Sequence, residues 1–268
     1  MVISKPLMPE SKIQNFNHLK IHSQYSICEG AIKIDDLRDF SKENKIKSLA
    51  LCDTTNLCGA LEFAEKISKV GTQPIIGTQI NFKYGDTVGL LPLYALSEEG
   101  YKNIIELSSL SYLKNDERSD PHLDFDELLK KNTGVALFSG TINGFFGQLF
   151  DKGKFTDIKE LYSKLKTAFN DKFYIEIQRH GDQNESGFEK FNLNKSIELE
   201  IPLIATNEIF YINKDMHEAH DALICIKNKT YVNEKNRIKF SNQHYFKNNS
   251  EMSELFADIP EALENNYY

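Results

Sequence analysis

The sequence predicts an α/β protein whose strands close, or nearly close, into a (β/α) barrel. Three features carry this reading. Short, almost continuous apolar runs recur along the chain, amphipathic helical segments alternate with them, and polar residues gather where the runs end. The runs are IKSLALCD (46–53), PIIGTQINF (74–82), VGLLPLYAL (88–96), GVALFSG (134–140), FYIEIQRHG (173–181) and PLIATNEIFY (202–211). Such runs suit strands covered on both faces. Between them, Ile34, Leu37 and Phe40 fall on one helical face. Ile104, Leu107 and Leu110 fall on another, and Ile158, Leu161, Leu165 and Phe169 on a third, all at spacings of three and four. Strand, helix and strand in succession imply parallel strands joined by right-handed crossovers. An open doubly wound sheet is the second choice, but no G-x-G-x-x-G follows any strand, so a dinucleotide fold has no specific support.

The 268 residues suit one barrel-sized domain, and 40% hydrophobic with 26% charged residues is a globular composition. No apolar run approaches the roughly 18 residues of a membrane span, and no membrane association is expected. The first residues, MVISKPLMPESKIQNF, are too polar for a secretory signal. Residues 1–16 are therefore expected to be a flexible leader, with the domain running from 17 to 268. A net charge of −7 argues against a nucleic-acid clamp. The locally basic stretch Lys227 to Lys239 is expected to be a solvated loop. Cys28, Cys52, Cys58 and Cys225 show no C-x-x-C spacing, which fits reduced thiols in the cytoplasm.

The polar strand ends matter most for function. HLKIHS, CD, IQRHG and TNE would bring His22, Asp53, His180 and Glu208 to one rim of a barrel, where active sites sit. In a regular strand His18, Lys20 and His22 share a face. A neutral imidazole offers a lone pair and an ammonium offers none, so at that face only His22 suits a metal. His217 and His220 form H-x-x-H on a helix, without the H-E-x-x-H of zinc proteases, and are expected to cap or lie at the surface. His122 and His244 are expected to be solvated in polar loops. His18 is expected to hydrogen-bond at the barrel wall or floor. The glycines of NTGVALFSGTINGFFG lack the G-K-[ST] of a phosphate loop and are expected to serve tight turns.

The segments HLKIHSQYSICEGAIKIDDL, LALCDTTNLCGALEFAEK, QPIIGTQI, EEGYKNIIELSSLSYL, ALFSG, IEIQRHG, PLIATNEIFYI, EAHDALICI and ELFADIPEALEN occur in this order. In them the chain resembles the polymerase-and-histidinol-phosphatase (PHP) domain at the N-terminus of bacterial DNA polymerase III α subunits, from residue 17 onward. The resemblance implies a PHP-type distorted (β/α)7 TIM-like barrel. Metal-binding members of that family hold a cluster of zinc, manganese or iron ions, and their ligand pattern carries over with gaps. The first H-x-H falls on Lys20 and His22, and an acidic ligand falls on Glu29. The Asp-His pair falls on Asp53 and Thr54, and the bridging glutamate on Gln79. A histidine falls on Pro92 and a cysteine on Thr141. The Q-x-H-G histidine is kept as His180, and the final Asp-x-His falls on Glu208 and Phe210. If any metal is bound, the surviving ligands are His22, Glu29, Asp53, His180 and Glu208.

Lys20 is expected to repel a divalent ion and to pair with Asp53 or Glu208 in its place. The expected function is therefore a catalytically inactive domain with no cofactor of its own, a scaffold for the polymerase and a docking site for its proofreading 3′–5′ exonuclease. DNA-directed DNA synthesis, its magnesium ions, and contacts with DNA and the sliding clamp would belong to a longer chain, of which this would be an N-terminal fragment. The alternative is a metal-dependent phosphoesterase or 3′–5′ exonuclease using zinc or manganese at the reduced site.

Overall fold

A computed structural model describes residues 16–116 and 119–266. The strands are β1 (His18–Ile21), β2 (Ser48–Thr54), β3 (Gln73–Tyr84), β4 (Thr87–Ala95), β5 (Leu123–Asp124), β6 (Val135–Phe138), β7 (Phe173–Ile177), β8 (Leu203–Ala205) and β9 (Glu208–Ile209). The helices are α1 (Ile34–Glu43), α2 (Ala60–Ser68), α3 (Glu98–Leu113), α4 (Phe125–Lys130), α5 (Phe145–Asp151), α6 (Phe155–Phe169), α7 (Glu185–Leu199), α8 (His217–Asn228), α9 (Asn249–Leu255) and α10 (Pro260–Glu264). Each apolar run named above contains a strand. Residues 1–15 of the expected leader lie outside the described residues. Phe16, its last residue, is buried with its ring edge-on to His18.

Hydrogen bonding orders the strands β8-β7-β6-β4-β3-β2-β1-β9, with β5 beside β3. β8 and β9 are halves of one stretch interrupted by Thr206 and Asn207. The first half pairs with β7 and the second with β1, both parallel. This stretch joins the two ends of the sheet, and the strands curl into a distorted TIM-like barrel. The run at 202–211 is thus two short strands and not one.

The all-parallel expectation fails at β4, which is antiparallel to both β3 and β6. Tyr84 pairs with Thr87, leaving Gly85 and Asp86 as a two-residue hairpin turn. Gly85 has φ +59°, a conformation that glycine adopts without Cβ strain. So short a connection cannot make a parallel crossover.

Apolar spacing places the helices as read. Ile158, Leu161, Leu165 and Phe169 of α6 are all buried, as are Ile104 and Leu107 of α3. Burying a side chain of this size contributes about 1.5–3 kcal/mol. Ser97 caps α3 by accepting from the Gly100 N–H at 3.1 Å. A Cβ on Gly100 would lie 1.7 Å from the Gly134 carbonyl oxygen, so only glycine lets α3 approach the turn before β6 this closely. The barrel interior has an apolar cluster of small, branched aliphatic and aromatic groups: Leu19, Ala50, Cys52, Tyr94, Ala136, Phe138 and Ile204. All four cysteines are free thiols.

Candidate functional site

The interior polar layer begins with an irregularity in β1. His18 pairs with Leu49 and Ile21 with Leu51, so three steps on β1 match two on β2. This is the signature of a β-bulge. It removes the strict alternation on which the shared face of His18, Lys20 and His22 rested. Lys20 turns into the barrel, while His18 packs between Phe16 and Phe246 and bonds the Lys247 carbonyl at 2.7 Å. Lys20 is fully buried. Its Nζ lies 3.4 Å from Glu208 Oε1 and 3.6 Å from Glu176 Oε1. Burial works against its charge, but Glu176 and Glu208 outweigh burial and hold its pKa above the usual lysine value.

Glu208 is the hub of the layer. Its Oε1 accepts from the Gln79 amide at 3.1 Å and from His22 Nε2 at 3.1 Å. Burial opposes its charge, yet Lys20 and His22 hold its carboxyl well below the usual glutamate range. Because His22 Nε2 donates to a carboxylate, that nitrogen has no lone pair for a metal. His22 Nδ1 faces the hydroxyls of Ser26 at 3.3 Å and Thr54 at 3.5 Å. Phe210 stacks on His22, with centroids 4.8 Å apart, and on His220 at 5.1 Å. An aromatic ring thus covers the imidazole where the resemblance places a ligand. Pro92 sits opposite Gln79 in the β3–β4 register.

Other candidates are placed differently from expectation. Asp53 does not pair with Lys20. It accepts from the Ser23 N–H at 2.7 Å, the Ser23 hydroxyl at 2.8 Å and the Ser26 hydroxyl at 2.7 Å, which ties β2 to the loop after β1. Glu29 is not drawn into the layer, because its carboxylate pairs with Lys227. Its carbonyl accepts from His220 Nε2 at 2.9 Å, so His220 is a buried tie and not a cap or a surface group. His180 ends up beside Glu208, whose N–H donates to His180 Nε2 at 3.2 Å. Burial, with His244 and Lys247 nearby, pushes the His180 pKa well below its usual value. His244 is buried too, against the expectation of a solvated loop residue. The chain beyond α8 folds back over the mouth, and the His244 ring stacks on His180 at 4.0 Å and 6°. The basic stretch after α8 carries exposed Tyr231, Val232 and Ile238. Within it, however, Arg237 forms a paired contact with Asp221 at 2.6 and 2.7 Å.

Sequence reasoning missed Glu176. It comes from β7, and its Oε1 accepts from Gln178 Nε2 at 2.9 Å and from the Thr206 hydroxyl. The signal was an acid embedded in the apolar run FYIEI. A carboxylate buried there needs a cation, and Lys20 supplies it.

A sequence profile described as the PHP domain matches residues 18–180. The chain belongs to the PHP domain family. The curated relatives of this PHP domain include the DNA polymerase III subunit alpha of Caulobacter vibrioides, 36% identical over 96% of this chain and 23% of that protein. The same subunit from Rickettsia felis is 37% identical over 93% of this chain and 21% of that protein. The subunit from Borreliella burgdorferi is 37% identical over 93% and 23%. The chain therefore spans less than a quarter of the length of these relatives. None of the helices among the described residues is long and apolar enough to cross a membrane.

The metal cluster implied by the family does not fit the residues that form this layer. Such a cluster needs charged bridging ligands and bare imidazole nitrogens. Here Gln79 is uncharged, His22 Nε2 donates, Phe210 is apolar, and a buried ammonium sits on the glutamate that would ligate.

Proposed function

We propose that this PHP domain is the catalytically silent scaffold of a DNA polymerase III α subunit. The observation that carries the reading is Lys20, buried between Glu176 and Glu208, at a position where the family's pattern calls for a metal ligand. The ammonium does structurally what ions would do: it neutralises carboxylates that converge from β7 and β9 on β1. It offers no Lewis acid and no activated water, so the layer has no means of attacking a phosphoester. In this reading the polypeptide extends DNA from deoxynucleoside triphosphates through a separate magnesium-dependent module. The PHP barrel braces that module in the cytoplasm and docks the proofreading 3′–5′ exonuclease subunit, while DNA and the sliding clamp are contacted elsewhere. The relatives are DNA polymerase III α subunits, and their identity over nearly the whole chain supports the polymerase assignment.

The test is hydrolysis of p-nitrophenyl phosphate and of single-stranded DNA in added manganese or zinc. The reading expects no turnover above that of the His22→Gln/His180→Gln variant. Metal-dependent turnover lost in that variant would overturn it in favour of a phosphoesterase. Co-purification with the exonuclease subunit tests docking, and failure to bind would remove that part.

A further inference from the structure

We propose that His244, Asp182 and His180 form a site for one divalent transition-metal ion of the zinc class, beside the layer that Lys20 fills and sharing with its ligand pattern His180 alone. The proposal does not rest on the scaffold reading. His244 Nδ1 lies 3.0 Å from the Glu208 carbonyl oxygen, which can only accept, so Nδ1 carries the hydrogen. In the neutral ring this leaves a lone pair on Nε2. That nitrogen is buried and has no hydrogen-bond partner. It faces Asp182 Oδ2 at 3.6 Å, too far for a hydrogen bond. A lone pair opposite a carboxylate is repulsive unless a cation lies between them. An ion about 2.0–2.2 Å from each atom spans a gap of this size.

The surroundings suit a ligand. A metal-binding imidazole ordinarily donates its other N–H to a carbonyl or carboxylate, which fixes the tautomer. Phe210 and Phe240 hold the His244 ring, each with centroids 5.2 Å away. Donor atoms of His180, Asp182 and His244 all lie within 4.8 Å of one another. His180 lies flat against His244, and in-plane lone pairs of parallel rings do not converge. It takes the third place by turning about its Cβ–Cγ bond, giving up contacts with Asn207 at 3.1 Å and the Glu208 N–H. The Lys247 ammonium nearby is occupied by Asn207 Oδ1 at 2.9 Å and the Gln243 carbonyl. Two imidazoles, a carboxylate and water make a zinc-class donor set. Neither Asp182 nor His244 belongs to the ligand pattern carried over above.

The test is a titration of cobalt(II) into the intact protein, read by equilibrium dialysis and by the visible bands of tetrahedral cobalt. Circular dichroism reports the fold of each variant. The proposal expects one equivalent that binds at least tenfold more weakly in His244→Ala and in Asp182→Asn and is retained in His22→Gln. Asp182→Asn changes a partly exposed side chain, so it decides the matter if His244→Ala fails to fold. Equal binding by wild type and Asp182→Asn would overturn the site, make His244 and Asp182 a proton-bridged pair, and leave the scaffold reading standing. An equivalent lost in His22→Gln instead would place the ion in the Lys20 layer and overturn both.

Discussion

Replacing Lys20 with methionine is the perturbation most closely tied to the structure. Methionine nearly preserves the volume and removes only the ammonium. Glu176 and Glu208 then remain buried, without the one ammonium that, among the described residues, pairs with both. Breaking a buried ion pair from one side costs about 3–5 kcal/mol. With a urea slope of about 3 kcal/mol per M, the unfolding midpoint falls by roughly 1–2 M. The loss depends on pH. In the wild type the depressed Glu208 pKa contributes stability that is present above the unfolded carboxyl value and lost as pH falls through the folded one. Without Lys20, burial pushes that carboxyl upward, and the variant keeps a proton on it into mildly acidic solution. Lys20→Met is therefore expected to lose more at pH 8 than at pH 5.5. Lys20→Met/Glu176→Gln/Glu208→Gln should recover most of the loss, because a neutral interior no longer needs the cation. Urea titrations at both pH values measure this. An unchanged midpoint at pH 8, or a triple variant weaker than Lys20→Met, would refute the claim that the ammonium neutralises these two acids.

Other outcomes follow from the same geometry. Phe210→Ala removes the ring stacked on His22 and His220 and should cost about 3–5 kcal/mol in urea unfolding. Burial pushes His18 from 6.5 down to about 4, so the folded protein resists a proton that the unfolded chain takes. Stability is unaffected by this group above pH 6.5 and falls by about 3 kcal/mol as pH drops from 6.5 to 4. His18→Gln keeps a donor for the Lys247 carbonyl and should flatten that acid slope by one proton, read from urea midpoints across the range. Lys20→His restores one ligand type but leaves Thr54, Gln79 and Phe210 in place, so manganese-dependent phosphatase activity should stay at background.

Local chemistry was legible in the sequence where it was local. The apolar period of α6 put Ile158, Leu161, Leu165 and Phe169 on the buried face, and Lys20 read as an ammonium in a ligand's position. The hairpin at Gly85–Asp86 also had a local signal, but the apolar runs on either side read as two strands awaiting a crossover. The bulge in β1 had none, since an extra residue is defined by its register with β2 and not by its own composition. Glu176 could have been found by asking what neutralises an acid inside FYIEI. His244 could not, because its burial depends on the irregular segment beyond α8 returning to cover His180.

The claim that a buried ammonium stands in for the family's ions is tested most directly by anomalous diffraction from crystals soaked in manganese or zinc. The structure predicts no ion within coordination distance of His22 or the Glu208 carboxylate, with Lys20 Nζ still between Glu176 and Glu208. Two or three ions bridged there, with Lys20 displaced, would contradict it.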